Sequence, residues 1–258
     1  MSALRFSAAA PRVLHHTGKL SYRVIAMCEI RDPDTKWLCR VGGIAGLALG
    51  IGYIAIIGVY IAIGAPPMNV DERLVYLASH TAAWWWILAL SVLTDLLFVP
   101  LTLALYATLK GVSRSMMSLA VSCVALFVFL DLALTWTNYA ALITLGGRYV
   151  SAVSPAEKAA IVAIAAVPAI ILESRLLFIY NSLTLAMGML LAGIVMLKSA
   201  FGKLPAYLGI AVGALGTIAV GGPLVFKFLG SLIVLVSLLT MIWASVVGYR
   251  LYMLGRER

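Results

Sequence analysis

Between Val41 and Tyr249 the chain is a succession of apolar runs, each about 20–25 residues long, separated by short segments rich in Gly, Pro and charge. A run of that length spans a hydrocarbon core as a helix. An isolated strand or loop has no such option there, because lipid offers its backbone groups no hydrogen-bond partners. Charged residues make up 11% of the chain and hydrophobic ones 63%, whereas about a quarter of a soluble domain is charged. The mean hydropathy is +1.06. The expected fold is all-α, a polytopic transmembrane helical bundle of about six spans plus an interfacial helix, with no room for a second globular domain.

The domain reading is a basic cytoplasmic arm at 1–40, a transmembrane domain at 41–253 and a basic tail at 254–258. The arm carries Arg5, Arg12, Lys19, Arg23, Arg31, Lys36 and Arg40, and no apolar core of signal-peptide length precedes residue 41. Its Arg12 to Arg23 part reads either as a flexible tail or as a weakly amphipathic helix on the membrane surface. Met27 is a second candidate start. The formal net charge of +9 would suggest nucleic acid in a soluble protein. In a membrane chain with its basic residues on one side, the expected partners are anionic lipid headgroups, and no nucleic acid.

The spans follow in order. Val41–Ile63 carries Gly42, Gly46 and Gly50, a ridge of small residues that packs either within the chain or as a homodimer seam; a homo-oligomer or a larger membrane complex stays open. Asn69 is placed to cap a short outer helix ending at His80. Span two, about Ala83–Leu109, opens with Trp84, Trp85 and Trp86 at the expected headgroup level and contains Asp95 and Pro100. Span three, Leu119–Leu145, ends at a turn over Gly146-Gly147-Arg148. Ser154-Pro155-Ala156-Glu157 then has the form of a helix start, with Ser as N-cap and Glu closing a capping box. A helix running from there to Lys198 would be about 66 Å long, twice a bilayer core, so Pro168 is the expected break. Residues 155–172 read as an interfacial or re-entrant helix and Ser174–Leu197 as span four. Span five runs from Pro205 to Gly221 and span six over about Leu224–Tyr249.

Most of the 19 Lys and Arg residues fall in the arm, at Lys110 and Arg114, at Lys198 and Lys203, and after Arg250. The positive-inside rule then places both termini in the cytoplasm of a bacterial plasma membrane.

Span three contains one acid in its middle, Asp131. An ionised carboxylate there costs about 2.5–3.5 kcal/mol, so it requires a partner or a purpose. Asp95 lies at similar depth on span two. Asp131, Thr135 and Asn138 form a stripe at i, i+4 and i+7, and Ser174, Asn181 and Thr184 form a second on span four, with Glu173 and Arg175 at its outer end. The expected arrangement has the stripes facing across an outward-opening polar cavity, with Arg175 and Lys227 as cationic partners of the acids. The preferred function is non-enzymatic: a module that binds or transports a small solute or cation, or an accessory membrane subunit. A purely structural polar network competes with it. So does an intramembrane enzyme using Asp95 and Asp131 as acid and base on a lipid or isoprenoid, although no nucleophile or metal motif accompanies the acids.

No cofactor is expected. Cys28, Cys39 and Cys123 have no metal-ligand spacing, and His15, His16 and His80 provide no intramembrane pair to hold haem or a metal.

Gly202-Lys203-Leu204-Pro205-Ala206-Tyr207-Leu208-Gly209 resembles the G-x-L-P-x-x-L-G turn of a bacterial integral-membrane family of uncharacterised function, domain of unknown function forty-three eighty-six. Asp95 to Leu109 is similar to that family's acid followed by L-x-L-Y-x-L-L, and Ser154 to Glu157 to its S-P-E-Q helix start. The resemblance covers about residues 41–225. Asn138 fits the pattern and Asp131 departs from it. The resemblance implies the fold and leaves the activity open.

Overall fold

The computed structural model describes residues 32–199, 201–224 and 226–256, with the side chains of residues 224 and 227 outside that set. Outside it lie the arm up to Arg31, with its Arg12–Arg23 segment and Met27, the tail residues Glu257 and Arg258, and the Lys227 side chain. Among the described residues the fold is all-α, with helices α1 (Pro33–Ile63), α2 (Val70–Ser79), α3 (Thr81–Leu109), α4 (Arg114–Leu130), α5 (Thr137–Ser151), α6 (Pro155–Leu172), α7 (Arg175–Leu197), α8 (Lys203–Gly221) and α9 (Leu232–Arg256). A π-helical segment, Asp131–Trp136, joins α4 to α5 without a break. Short 3₁₀ turns at Gly222–Leu224 and Lys227–Ser231 lead into α9.

Six segments are long and apolar enough to cross a membrane: α1, α3, α4 through α5, Pro155–Leu197, α8 and α9. Large aliphatic and aromatic side chains such as Ile51, Ile54 and Ile61 on α1 and Phe129 on α4 point outward, more than 60% exposed. In water such surfaces would drive aggregation; in a bilayer they face acyl chains.

Local chemistry places the helix starts. Pro33 opens α1 eight residues before Val41, so the end of the arm is helical. Asn69 Oδ1 accepts from the Asp71 N–H at 3.0 Å and Ser154 Oγ from the Glu157 N–H at 3.1 Å, capping α2 and α6. The break between α6 and α7 falls at Glu173-Ser174, where Ser174 caps α7, and not at Pro168, through which α6 runs on. A further correction concerns Gly146-Gly147-Arg148, which is helical and not a turn. A Cβ on Gly146 would sit 2.7 Å from the Leu74 carbonyl oxygen, so this glycine admits the backbone of α2. Span six begins at Leu232, later than Leu224, because the Gly-Pro segment before it winds as 3₁₀ turns.

Close backbone approaches hold the bundle together. The ridge on α1 is filled within the chain: Gly42 lies against Pro100 and Ala104 of α3, Gly46 against Ala244 and Gly248 of α9, and Gly50 against Ser245. It is therefore unavailable as a homodimer seam. Gly193 of α7 meets Gly209 of α8 in the same manner. One core cluster runs through this bundle around Phe98, Phe127, Met189 and Trp243. A second, around Leu74, Leu77, Trp84, Leu142 and Ile161, joins α2, α5 and α6 to the Thr81 end of α3.

Candidate functional site

Asp95 is the midpoint of the 29-residue α3 and is 2% exposed. Asp131, at the start of the π-helical segment, is 8% exposed. The two acids lie close together inside the bundle, near enough for the charge of one to act on the other. Trp136 Nε1 donates to Asp95 Oδ2 at 2.7 Å, and Asn181 Nδ2 donates from α7 to Asp131 Oδ1 at 2.8 Å. Tyr53 of α1 lies beside the acids and beside Thr94, whose own hydroxyl donates to the Ser91 carbonyl oxygen at 2.8 Å. Four elements thus converge on two buried carboxyls.

The π turn explains which residues reach the centre. It winds with i to i+5 bonding, so Trp136, five residues on, comes round to the side of Asp131, whereas Asn138, beyond the π turn, is carried off the stripe that α-helical spacing predicts. Thr137 Oγ1 shows the wider winding, bonding to the Leu132 carbonyl oxygen at 2.9 Å. Asn138 Nδ2 turns to its own Leu134 carbonyl oxygen at 2.6 Å, and no hydrogen bond joins Thr135 to the cluster among the described residues. On α7, Asn181 joins the acids. Ser174 serves as a cap, and Thr184 Oγ1 bonds back to the Asn181 carbonyl oxygen at 2.8 Å.

Arg175 is exposed and does not pair with the acids. The cation that sequence reasoning missed is Arg73 of α2, 7% exposed, whose Nη2 meets Glu173 Oε1 at 2.6 Å while Nε and Nη2 donate to the Pro67 and Met68 carbonyl oxygens at 2.9 and 3.2 Å. The polar groups therefore form two sites, a carboxyl pair inside the bundle and an Arg73–Glu173 ion pair tying α2 to the α6–α7 break. Arg73→Ala should loosen the α1–α2 connection, costing about 2 kcal/mol for two carbonyl bonds and a half-buried ion pair. Hydrogen exchange across residues 64–80 should rise accordingly. Glu173→Gln should do far less, because the Glu173 side chain is 45% exposed.

Aromatic rings line the route between the sites. Trp84 stacks on Tyr139 with centroids 5.3 Å apart, and Tyr139 packs on Trp136 at 5.8 Å. Of the three tryptophans expected at the headgroup level, Trp84 turns into the bundle, 1% exposed and part of the second core, while Trp85 and Trp86 take the outward positions. Nothing in the residue order distinguished the first of the three tryptophans from its neighbours.

A cavity of about 220 Å³ adjoins the carboxyl pair, bounded by α1, α4, α7, α8 and α9, with Asp131 in its wall. At about 30 Å³ per water it would hold about seven waters or one small organic molecule. Its wall is chiefly aliphatic. The Ser237 and Thr240 hydroxyls that line it bond to the Ile233 and Val236 carbonyl oxygens of their own helix, at 2.9 and 2.8 Å. The Oδ1 atom of Asn181, whose amide donates to Asp131, is buried with no donor of its own. Among the described residues no group of three or more His, Cys, Asp and Glu side chains converges.

Fold and site together define a multi-pass integral membrane protein, a helical bundle with paired carboxyls in its interior. No protein-family model matches the chain, and no curated protein or solved structure is found to be similar to it.

Proposed function

We propose that this protein binds a small solute or cation inside the membrane at the Asp95–Asp131 pair, as a transport module or as the accessory subunit of a membrane complex. One observation carries the reading: Asp131 belongs both to the carboxyl pair and to the wall of the 220 Å³ cavity. A purely structural pair would be sealed by packing, whereas this one adjoins space large enough for a ligand. The π-helical winding that carries Asp131 and Trp136 adds support, because such segments are frequent at functional sites.

The proposed setting is a bacterial plasma membrane with both termini in the cytoplasm. Arg40 Nε donates to the Gly255 carbonyl oxygen at 2.7 Å, and Gly202 lies beside Arg250, so basic residues from α1, the α7–α8 loop and α9 gather at one end of the bundle, where anionic headgroups would meet them. The resemblance of Asp95–Leu109, Ser154–Glu157 and Gly202–Gly209 to the uncharacterised membrane family adds a proposed kinship. A high-resolution map of the protein in lipid tests the binding role. Ordered density in the cavity within hydrogen-bonding distance of Asp131 is expected; a dry cavity beside a carboxyl pair satisfied by protein alone would assign the pair a structural role.

A further inference from the structure

We infer that the cavity beside Asp131 is entered sideways, through a gap between α1 and α9 that opens onto lipid chains, and that its ligand is a lipophilic molecule with one hydrogen-bonding end, drawn from the bilayer. This rests on the binding role proposed above and specifies the class of its ligand.

The two helices approach most closely toward the basic end. Gly43 lies against Tyr252, Gly46 against Ala244 and Gly248, and Gly50 against Ser245. Farther along, the same sides of both helices lose their cover. On α1, Ile54 and Ile61 fall at helical repeats of Gly43 and Gly50 and are exposed, and nothing lies within 4 Å of a Cβ built on Gly58. On α9, Val234 and Ser237 continue the stripe of Met241, Ser245 and Gly248; both are exposed, whereas Met241 is buried. Ser237 also lines the cavity, and Tyr53, next to the exposed Ile54, lines it from α1. Other residues of that wall, Ala186, Met189, Val212, Val236 and Thr240, are buried. The wall is therefore breached at Ser237, where the two helices part.

The gap lies within the hydrocarbon. Arg40 Nε on the Gly255 carbonyl oxygen sets those two residues at one level, at the basic end. At about 1.5 Å per residue, Ile54 is about 21 Å along α1 from Arg40 and Ser237 about 27 Å along α9 from Gly255, inside a core about 30 Å thick. A molecule entering there comes out of acyl chains. An ion or a sugar would have to shed its hydration in lipid before reaching the gap, whereas a lipophile is already concentrated around it. The wall suits such a molecule. Leu185, Val212, Val220, Ile233 and Val236 take up an apolar body, and the Ser182, Ser237 and Thr240 hydroxyls and the Asp131 carboxyl line the same space with groups for one polar end.

The test uses the full-length protein in nanodiscs, with a diazirine analogue of 1-octanol as photoprobe and mass spectrometry of the labelled peptides. Labelling of the wall residues Leu185 and Val236 should saturate with probe and be displaced by 1-octanol. After brief exposure to the probe it should be about tenfold lower in Val234→Trp, which fills the gap without lining the cavity, and unchanged in Leu235→Trp. Equal labelling in Val234→Trp and wild type would overturn the sideways route. Labelling that rises with probe and never saturates would show bulk chains only and overturn the lipophile as ligand. A second readout holds if Val234→Trp does not fold. Bimane on Ser237→Cys, in a chain carrying Cys28→Ala, Cys39→Ala and Cys123→Ala, should be quenched by lipids brominated on their acyl chains and spared by aqueous iodide; the reverse pattern would overturn the route. Ordered density at Asp131 combined with quenching by iodide would refute entry from lipid and keep the binding role; a dry cavity would remove both.

Discussion

Gly248→Leu should destabilise the bundle by more than about 3 kcal/mol, while Gly58→Leu should leave stability unchanged or slightly raised. A Cβ at Gly248 would lie 2.8 Å from the Gly43 carbonyl oxygen and 2.9 Å from the Gly46 Cα, and on the facing helix a Cβ at Gly43 would lie 2.5 Å from the Tyr252 nitrogen. These neighbours are backbone, so no side-chain rotation relieves the clash and α1 must separate from α9. Small residues allow such approaches in lipid, where dispersion between closely packed helices replaces the missing hydrophobic drive. Gly58 lies on α1 with nothing within 4 Å of its built Cβ, and Leu has the better helix propensity. Thermal unfolding in one detergent, followed by circular dichroism, separates the two variants. Equal midpoints would refute the proposed helix contact.

Asp95→Leu should cost about 3 kcal/mol, and Asp95→Asn less than about 1 kcal/mol. Leucine leaves the Trp136 Nε1 donor without an acceptor in a site where Asp95 is 2% exposed, and removes the group that faces Asp131. Each loss is that of a buried polar group left unsatisfied, about 1–3 kcal/mol. Asparagine keeps an oxygen for the indole and an amide donor for Asp131, so the network survives with different protons. The indole N–H resonance of Trp136, identified by its loss in Trp136→Phe, should shift strongly in Asp95→Leu and weakly in Asp95→Asn. If both substitutions cost the same, the hydrogen bonds of Asp95 contribute nothing beyond the volume of the side chain.

The two results would show how different parts of the molecule could be read from its residue order. Helix starts at Asn69 and Ser154 were legible because a cap involves residues two or three apart, whereas the cap at Ser174 was not, since Pro168 offered the more obvious break. The similar depth of Asp95 and Asp131 was legible too, since 1.5 Å per residue along two helices is simple geometry. Trp136 was not, because an apolar run has the same composition whether it winds as α or π, and only the π winding brings position i+5 to the face of Asp131. Arg73 was missed because its partner, Glu173, is 100 residues away. Its nearness to the Asn69 cap marked it as ordered without saying what it touched. Arg175 showed the reverse, a charge beside the polar stripe that the break at Glu173-Ser174 leaves facing outward.

Residue order alone was enough to specify a multi-pass helical membrane protein with two acids in its apolar interior, because bilayer thickness and backbone hydrogen bonding admit no other form for such runs. It took the packed bundle to bring the acids together, to set Trp136 and Asn181 against them, to commit Arg73 elsewhere and to open a cavity beside Asp131. The difference is one of range. Burial and caps act over one or two turns of a helix, whereas pairing inside the bundle depends on the rotation of each helix about its axis, which glycine contacts and one π turn set from parts of the chain far apart in sequence.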